Sequence, residues 1–361
     1  MYEGTTIGVV VPAYNEEGFV GEVIETVPAF VDRVYVVDDA STDGTWDEIH
    51  EAAERADETG RDDAFDRRVV PIQHEENRGV GGAIKTGYLR AVHDEVGVTV
   101  VMGGDGQMDP EEMEKLIGPV ISGEADYVKG NRLISAEDRE EMPGFRYVGN
   151  VVLSYLTRIA SGYWRIGDPQ NGYTAISHDA LAGVGIEEMF EFYGYCNDLI
   201  VRLSSQGYRV VDVPVSARYR DEESHIDYRT YVPLVSLMLL RSFLRRITVR
   251  RRSVSEIARL GLYAGGVGGA LVGGTGVLRR GTERLRSDGG DSASSDDSAS
   301  SDDSEGGDDS ASSALDETGR RTAPATPSGV VALAGGVLAL CCAMAVDAVI
   351  NRGSNERLIE R

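Results

Sequence analysis

Lysine is almost missing from this 361-residue chain: of its 36 basic residues, all but Lys85, Lys115 and Lys129 are arginines. Against them stand 60 Asp and Glu, which leaves a net charge of −24. An acidic, lysine-poor surface stays hydrated in concentrated salt, so a halophilic source is expected, an ordinary acidic protein being the plainer alternative. The globular part lacks a basic face. That excludes nucleic acid as a partner, because phosphate-backbone recognition needs one. Cysteine is scarce too: Cys196 and the adjacent Cys341 and Cys342 make neither a disulfide framework nor a metal-binding spacing. No secretory leader is expected, since the first apolar run, "TIGVVV", is too short and has no basic flank. Between Ser287 and Thr318 there is no basic residue at all.

What is present is a strand–helix alternation. Short apolar runs at 6–11, 33–38, 68–73, 97–102 and 125–129 read as strands, with amphipathic stretches between them. The stretch "STDGTWDEIHEAAERA" opens with Ser41 or Thr42 as a helix N-cap. This pattern predicts an α/β fold with a mostly parallel sheet, in which ligands bind beyond the carboxyl ends of the strands. Polar clusters fall at those ends: Tyr14-Asn15-Glu16, Asp38-Asp39, Asn77 and Asp105-Gly106-Gln107. Residues 144–220 are mixed, with helices expected near 145–160 and 195–206 and strands near 172–177 and 208–215.

Beyond a first domain at 1–225, the stretch 226–252 has an apolar front and a basic back. It suits a helix lying at an anionic membrane surface; a buried core helix is the alternative. Apolar runs within 257–278 and 329–350 are each about long enough to cross a bilayer, and both are rich in small residues. Arginines before the first run and after the second predict a multi-pass protein of the cell membrane with a cytoplasmic catalytic domain and tail at 351–361. The Ser/Asp-rich stretch 279–328 is expected as an external disordered loop.

"VVPAYNEE" (10–17) sets an aromatic ring and a carboxylate after the first strand, suited to stack on a base and bond its edge. Asp39 adds a carboxylate at the next strand end, while the following "ASTDGT" suits a capping turn. "NRGVGGAIKTG" (77–87) is neither a P-loop nor a dinucleotide fingerprint, so its glycines point to a close approach of backbone or ligand. In "GGDGQMDP" (103–110), Asp105 and Gln107 offer oxygens two positions apart, able to face one hard cation whose remaining positions a diphosphate and waters fill. Asp109, before Pro110, reads as an N-cap.

In this order, "VVPAYNEE", "VVDDASTDGT", "NRGVGGAIKTG", "GGDGQMDP", "GNRL", "QNGYTAIS" and "GYRVVDVPV" resemble family 2 glycosyltransferases over residues 6–220. The resemblance is greatest to archaeal members of the dolichyl-phosphate mannose and glucose synthase branch. It implies the GT-A fold, with Pro12, Tyr14, Glu16, Val37 and Asp39 at the nucleotide-sugar and Asp105 and Gln107 at Mg2+ or Mn2+ and the diphosphate. Arg132 would face the diphosphate or the acceptor. The family's Asp-x-Asp begins here with Gly103, which removes one acidic contact. The implied reaction is inverting hexose transfer from a nucleotide-diphospho-sugar to dolichyl phosphate, or to a short lipid-linked glycan, in protein N-glycosylation.

The acceptor decides whether a base is needed. A lipid phosphate is already ionised, whereas a sugar hydroxyl, as in a polysaccharide or glycolipid transferase, needs a base within hydrogen-bond reach. Asp198 is the candidate, with a first-turn acid favoured by the helix dipole as the alternative. Arg218, Arg220 and His225 are candidates to meet the lipid phosphate, or else surface partners of the acids at 221–223. An inactive nucleotide-sugar-binding scaffold is the third reading, supported by Gly103 alone.

Overall fold

The computed structural model describes residues 1–57, 65–132, 144–216, 228–249, 261–272, 275 and 328–350. A seven-stranded sheet forms its centre, in the order β3-β2-β1-β4-β6-β5-β7. The strands are β1 (Ile7–Ala13), β2 (Arg33–Asp38), β3 (Val69–Gln73), β4 (Val98–Val101), β5 (Tyr127–Asn131), β6 (Thr174–Ser177) and β7 (Val210–Pro214). All neighbours pair in parallel except β6, which runs antiparallel to both β4 and β5. The chain leaves β1 toward β2 on one side and leaves β4 toward β5 on the other. Such a reversal opens a crevice at the carboxyl ends of β1 and β4.

The valine-rich strands are buried on both faces, which is why they read as continuous apolar runs. Val9, Val11, Val34, Val36 and Val100 face one core, with Ile24 of α1 (Val20–Thr26), Ile49 of α2 (Thr45–Asp57) and Leu116 of α4 (Met113–Ile121). Val10, Tyr35, Val101 and Tyr127 face the other, with Ile84 and Tyr88 of α3 (Val80–His93) and Leu199 of α7 (Tyr195–Gln206). Burying each such side chain contributes roughly 1.5–3 kcal/mol. The remaining helices of this unit are α5 (Gly144–Ser161), α6 (His178–Gly183) and α8 (Tyr228–Val249).

The capping expectation for α2 is corrected. The helix starts at Thr45, not after Ser41 or Thr42, and the Thr45 N–H donates to Asp43 Oδ1 at 3.0 Å. Ser41 and Thr42 bond instead to the loop after β1.

Val235, Leu239 and Arg246 of α8 are buried, while Leu234, Leu237, Leu240 and Leu244 are exposed together with Arg241 and Arg245. The helix therefore has a core side and an apolar outer side with arginines on it. Arg246 is wholly buried and forks onto Asp347, Nη1 to Oδ1 at 3.1 Å and Nη2 to Oδ2 at 2.9 Å, with Nη2 also donating to the Ile159 carbonyl at 3.0 Å. By contact the chain divides into one unit of 1–252 with 347–361 and a second of 253–346. In the second, the helix at 261–272 (α9) packs on α10 (Ser328–Ile350) so tightly that a Cβ on Gly336 would overlap the Ala270 backbone nitrogen.

Among the described residues no helix is long and apolar enough to cross a membrane. The two spans expected at 257–278 and 329–350 are accordingly not supported. The last turn of α10 ends on the buried Arg246–Asp347 pair. The acidic stretch 279–327 and the tail 351–361 lie outside the described residues.

Candidate functional site

The loops after β1 and β2 are laced together. Asn15 N–H donates to Ser41 Oγ (2.9 Å), Thr42 N–H to Asn15 Oδ1 (2.8 Å), Glu16 N–H to Thr45 Oγ1 (2.8 Å) and Asp39 N–H to the Ala13 carbonyl (2.9 Å). The Ser/Thr/Asp-rich run after β2 is therefore a tie between loops. Asn15 and Ala40 have φ of 57° and 61°, and for Ala40, beside Asp39, this left-handed conformation is strained. The adjacent acids divide their work. Asp38 is structural, bonded to Gln73 Nε2 (3.0 Å) and to the Ser41 N–H (3.1 Å). Asp39 sits at the crevice, its Oδ1 accepting from His74 Nδ1 (2.7 Å) and from the Arg78 N–H (2.9 Å).

Tyr14 is 46% exposed and Pro12 and Glu16 are half-buried at the same strand end. Val37 is wholly buried, so only its backbone could meet a ligand.

The loop after β4 is joined to the end of β1 by Gly104 N–H donating to the Pro12 carbonyl (3.1 Å). Asp105 Oδ1 accepts from the Gln107 N–H (3.0 Å) across a turn in which Gly106 has φ 69°. A Cβ on Gly103 would lie 2.9 Å from Asp105 Oδ1, the mobile end of a side chain that can turn aside. Asp109 caps the following turn through the Glu111 N–H (3.1 Å), and the Tyr173 hydroxyl donates to the Asp109 carbonyl (2.8 Å). Among the described residues no group of three or more His, Cys, Asp and Glu could enclose a metal. The pair Asp105 and Gln107 instead fits a hard divalent cation that shares most of its coordination with a bound diphosphate and water.

At the end of β5, Arg132 Nε donates to Asp168 Oδ2 (2.8 Å) and Nη2 to Oδ1 (3.3 Å). Burial pushes the Asp168 carboxyl up, but the charges and hydrogen bonds of Arg132, with Lys129, more than offset this and hold it below the ordinary carboxylate range. Lys129 is itself buried and donates to the Asn171 carbonyl. Alongside, Asn131 Nδ2 and the Gly167 N–H both donate to Asp212 Oδ2, at 2.8 and 2.6 Å. Burial pushes Asp212 up to about 6 despite these bonds and the nearby Lys129.

Asp198 is enclosed by protein donors. It is 5% exposed in the first turn of α7, with Oδ2 accepting from Arg202 Nε (2.7 Å) and the Phe190 N–H (3.1 Å), and Oδ1 from Ser242 Oγ (3.2 Å). Such a carboxylate ties α7 to α8 and to the loop before it. The glycines of α3 serve the same loop: Gly82 N–H donates to the Glu191 carbonyl (2.8 Å), and a Cβ on Gly81 would lie 2.6 Å from the Phe190 oxygen. Glu191 then accepts from Lys85 Nζ (2.9 Å) and Arg78 Nη2 (3.0 Å), and Lys85 foremost holds its carboxyl low.

Arg218, Arg220 and His225 lie outside the described residues. Pro12, Asp39 and Asp105 come together at the end of β1, and Arg132 lies beyond β6 at the end of β5. Sequence reasoning missed His74, Asp168 and Glu191. His74 stands just after β3, a strand end that could have drawn attention, and Asp168 just before "PQNG" in the loop ahead of β6; Glu191 carries no local signal.

The model of the family described as "Glycosyl transferase family 2" matches residues 8–185. A UDP-N-acetylglucosamine–dolichyl-phosphate N-acetylglucosaminyltransferase of Methanococcus voltae is 30% identical over 218 residues, which are 60% of this chain and 86% of that one. A polyprenol monophosphomannose synthase of Mycolicibacterium smegmatis is 30% identical over 224 residues, 59% of this chain and 77% of the relative. Glucosyl-3-phosphoglycerate synthase from Mycobacterium tuberculosis, solved with Mn2+, UDP and phosphoglyceric acid, is 19% identical and covers 70% of this chain and 81% of its own, with a TM-score of 0.49. That last likeness is too loose to bear on the site.

Proposed function

The chain belongs to glycosyl transferase family 2 and is a glycosyltransferase; from that premise we propose that it moves a hexose from a nucleotide-diphospho-sugar to dolichyl phosphate, with inversion, in protein N-glycosylation. The observation that carries this reading is the joining of three loops at the end of β1. Asp39 N–H bonds to Ala13 and Gly104 N–H to Pro12, so a base acceptor and the Asp105–Gln107 pair flank one strand end. A divalent cation held by Asp105 and Gln107 would offset the charge that grows on the departing nucleoside diphosphate. Asp39 would accept from the base, and Tyr14, exposed beside it, would stack on it. Arg132, held by Asp168, presents a fixed positive charge at the acceptor side of the crevice.

Asp198 supports the phosphate acceptor by its unsuitability as a base. All three of its bonds go to protein donors, and its ion pair with Arg202 is buried. A lipid monophosphate, ionised near neutral pH, attacks without such help. The exposed leucines and arginines of α8 support seating at an anionic membrane surface, with the catalytic unit on the cytoplasmic side. A transfer assay tests the reading: membranes carrying the protein, Mg2+ or Mn2+, radiolabelled nucleotide-hexoses, and dolichyl phosphate as the sole added acceptor. A labelled lipid that mild acid cleaves is expected. Label appearing only when a lipid-linked glycan is added would move the acceptor to a sugar hydroxyl.

A further inference from the structure

Asp39 has two carboxylate oxygens, and the protein has already filled one of them. Oδ1 takes both the His74 Nδ1 (2.7 Å) and the Arg78 backbone N–H (2.9 Å), which uses its two lone-pair directions. A carboxylate oxygen only accepts, so Nδ1 is the protonated ring nitrogen in this pair. His74 is fixed from its far side as well. Its Nε2 lies 2.9 Å from Thr86 Oγ1, and that hydroxyl sits 3.1 Å from the Gly82 carbonyl on α3. Both members of the pair are buried, with side-chain exposures of 7% and 3%, so neither rotates freely. Among the described residues no protein donor bonds to Oδ2.

The bases of sugar donors differ in what they bring to such an oxygen. Uracil presents one N–H, at N3, on its pairing edge. Guanine presents two side by side, at N1 and N2, a fork that matches a carboxylate with both oxygens free. Against Asp39, one arm of that fork meets an oxygen already saturated, and a donor stripped of water without a partner is penalised. Building on the reading of Asp39 as the nucleobase acceptor, we propose that His74, with the Arg78 amide, makes the donor subsite select a uridine diphosphate sugar over a guanosine diphosphate sugar. His74 is a positioning residue here. It sets how many oxygens Asp39 can offer and does not itself touch the base.

The test is calorimetric titration of the full chain in lipid nanodiscs, with Mg2+ present, using UDP, GDP and N3-methyl-UDP. UDP is expected to bind at least about tenfold more tightly than GDP, and N3 methylation is expected to remove most of that advantage. In His74→Ala, one lone pair of Oδ1 is released, and the UDP-to-GDP affinity ratio should fall toward one. In His74→Asn, whose amide nitrogen takes the place of Nδ1, the ratio should stay high. GDP binding as tightly as UDP to the native chain overturns the selectivity and leaves the glycosyltransferase reading intact. A ratio unmoved in a folded His74→Ala removes His74 from the argument. If neither nucleotide binds, the donor site itself is misassigned, and the inference falls with it.

Discussion

At Asp212 the protein keeps a buried acid whose Oδ2 is bonded to Asn131 and Gly167 while Oδ1 has no hydrogen-bond partner among the described residues. Its carboxyl, pushed up to about 6 by burial, binds a proton more readily in the folded than in the unfolded chain. The stability contributed by protonation is thus full below about pH 4 and is lost as pH rises through about 6, up to about 3 kcal/mol in all. Asp212→Asn keeps an oxygen for both donors and carries no charge. It should unfold in more urea than the native chain at pH 8 and about the same at pH 4.5; equal midpoints at pH 8 would count against this account. At Asp105, replacement by Ala should cut metal-dependent turnover by about 10²–10³-fold, the scale on which a lost contact to developing charge is felt. Unchanged turnover would remove Asp105 from the cation site. Asp198→Ala belongs to stability: Arg202 would lose its buried partner and keep only the exposed Glu188 and two carbonyls, which should cost about 3 kcal/mol in chemical denaturation. At this scale the sequence showed which polar runs stand at the strand ends, because they stand out against apolar strands. It could not show that Asp198 is enclosed, because its partner Ser242 lies 44 residues away. His74 and Asp168 were hidden for the same reason: each matters through a bond to a distant acid or cation.

Among the elements, α3 shows how a glycine run can serve packing. Gly79, Gly81 and Gly82 let its first turn lie against the backbone at 190–192, and so bring Lys85 and Arg78 to Glu191. Gly81→Val should lower stability by about 1–3 kcal/mol, as overpacking does, and the loss should appear as a lower thermal midpoint. Gly81→Ser, only slightly smaller, should rank between native and Val. The strands were legible nearly to the residue. Valine runs covered on both faces are unambiguous once helices alternate with them, and β6 was read at 172–177 against Thr174–Ser177. Its antiparallel direction was not legible, since no local pattern encodes which way a strand enters a sheet. The start of α2 was misread because Ser, Thr and Asp satisfy loop amides as well as helix amides; only the partner loop decides between them.

At the scale of the larger unit, the outer side of α8 and the Arg246–Asp347 pair are the features of longest reach. Leu237→Glu with Leu240→Glu should weaken binding to anionic vesicles at least about tenfold, since burial of two apolar side chains is lost and negative charge is added at the surface. Vesicle flotation at fixed salt measures it, and unchanged flotation would reject α8 as the contact. The two apolar runs near the C-terminus looked like bilayer spans because length and hydropathy were all that could be read there. The acid that closes α10 onto Arg246 finds its partner 101 residues earlier, a pairing no window of sequence contains. This pairing also has a consequence in time. A ribosome adding about 5–20 residues per second needs roughly 5–20 s to travel from Arg246 to Asp347. Throughout that interval the nascent chain holds an arginine destined for a dry interior whose carboxylate partner has not yet been made. The pair can close only once residue 347 has been added, which leaves a defined window in which chaperones and proteases compete for the unfinished chain.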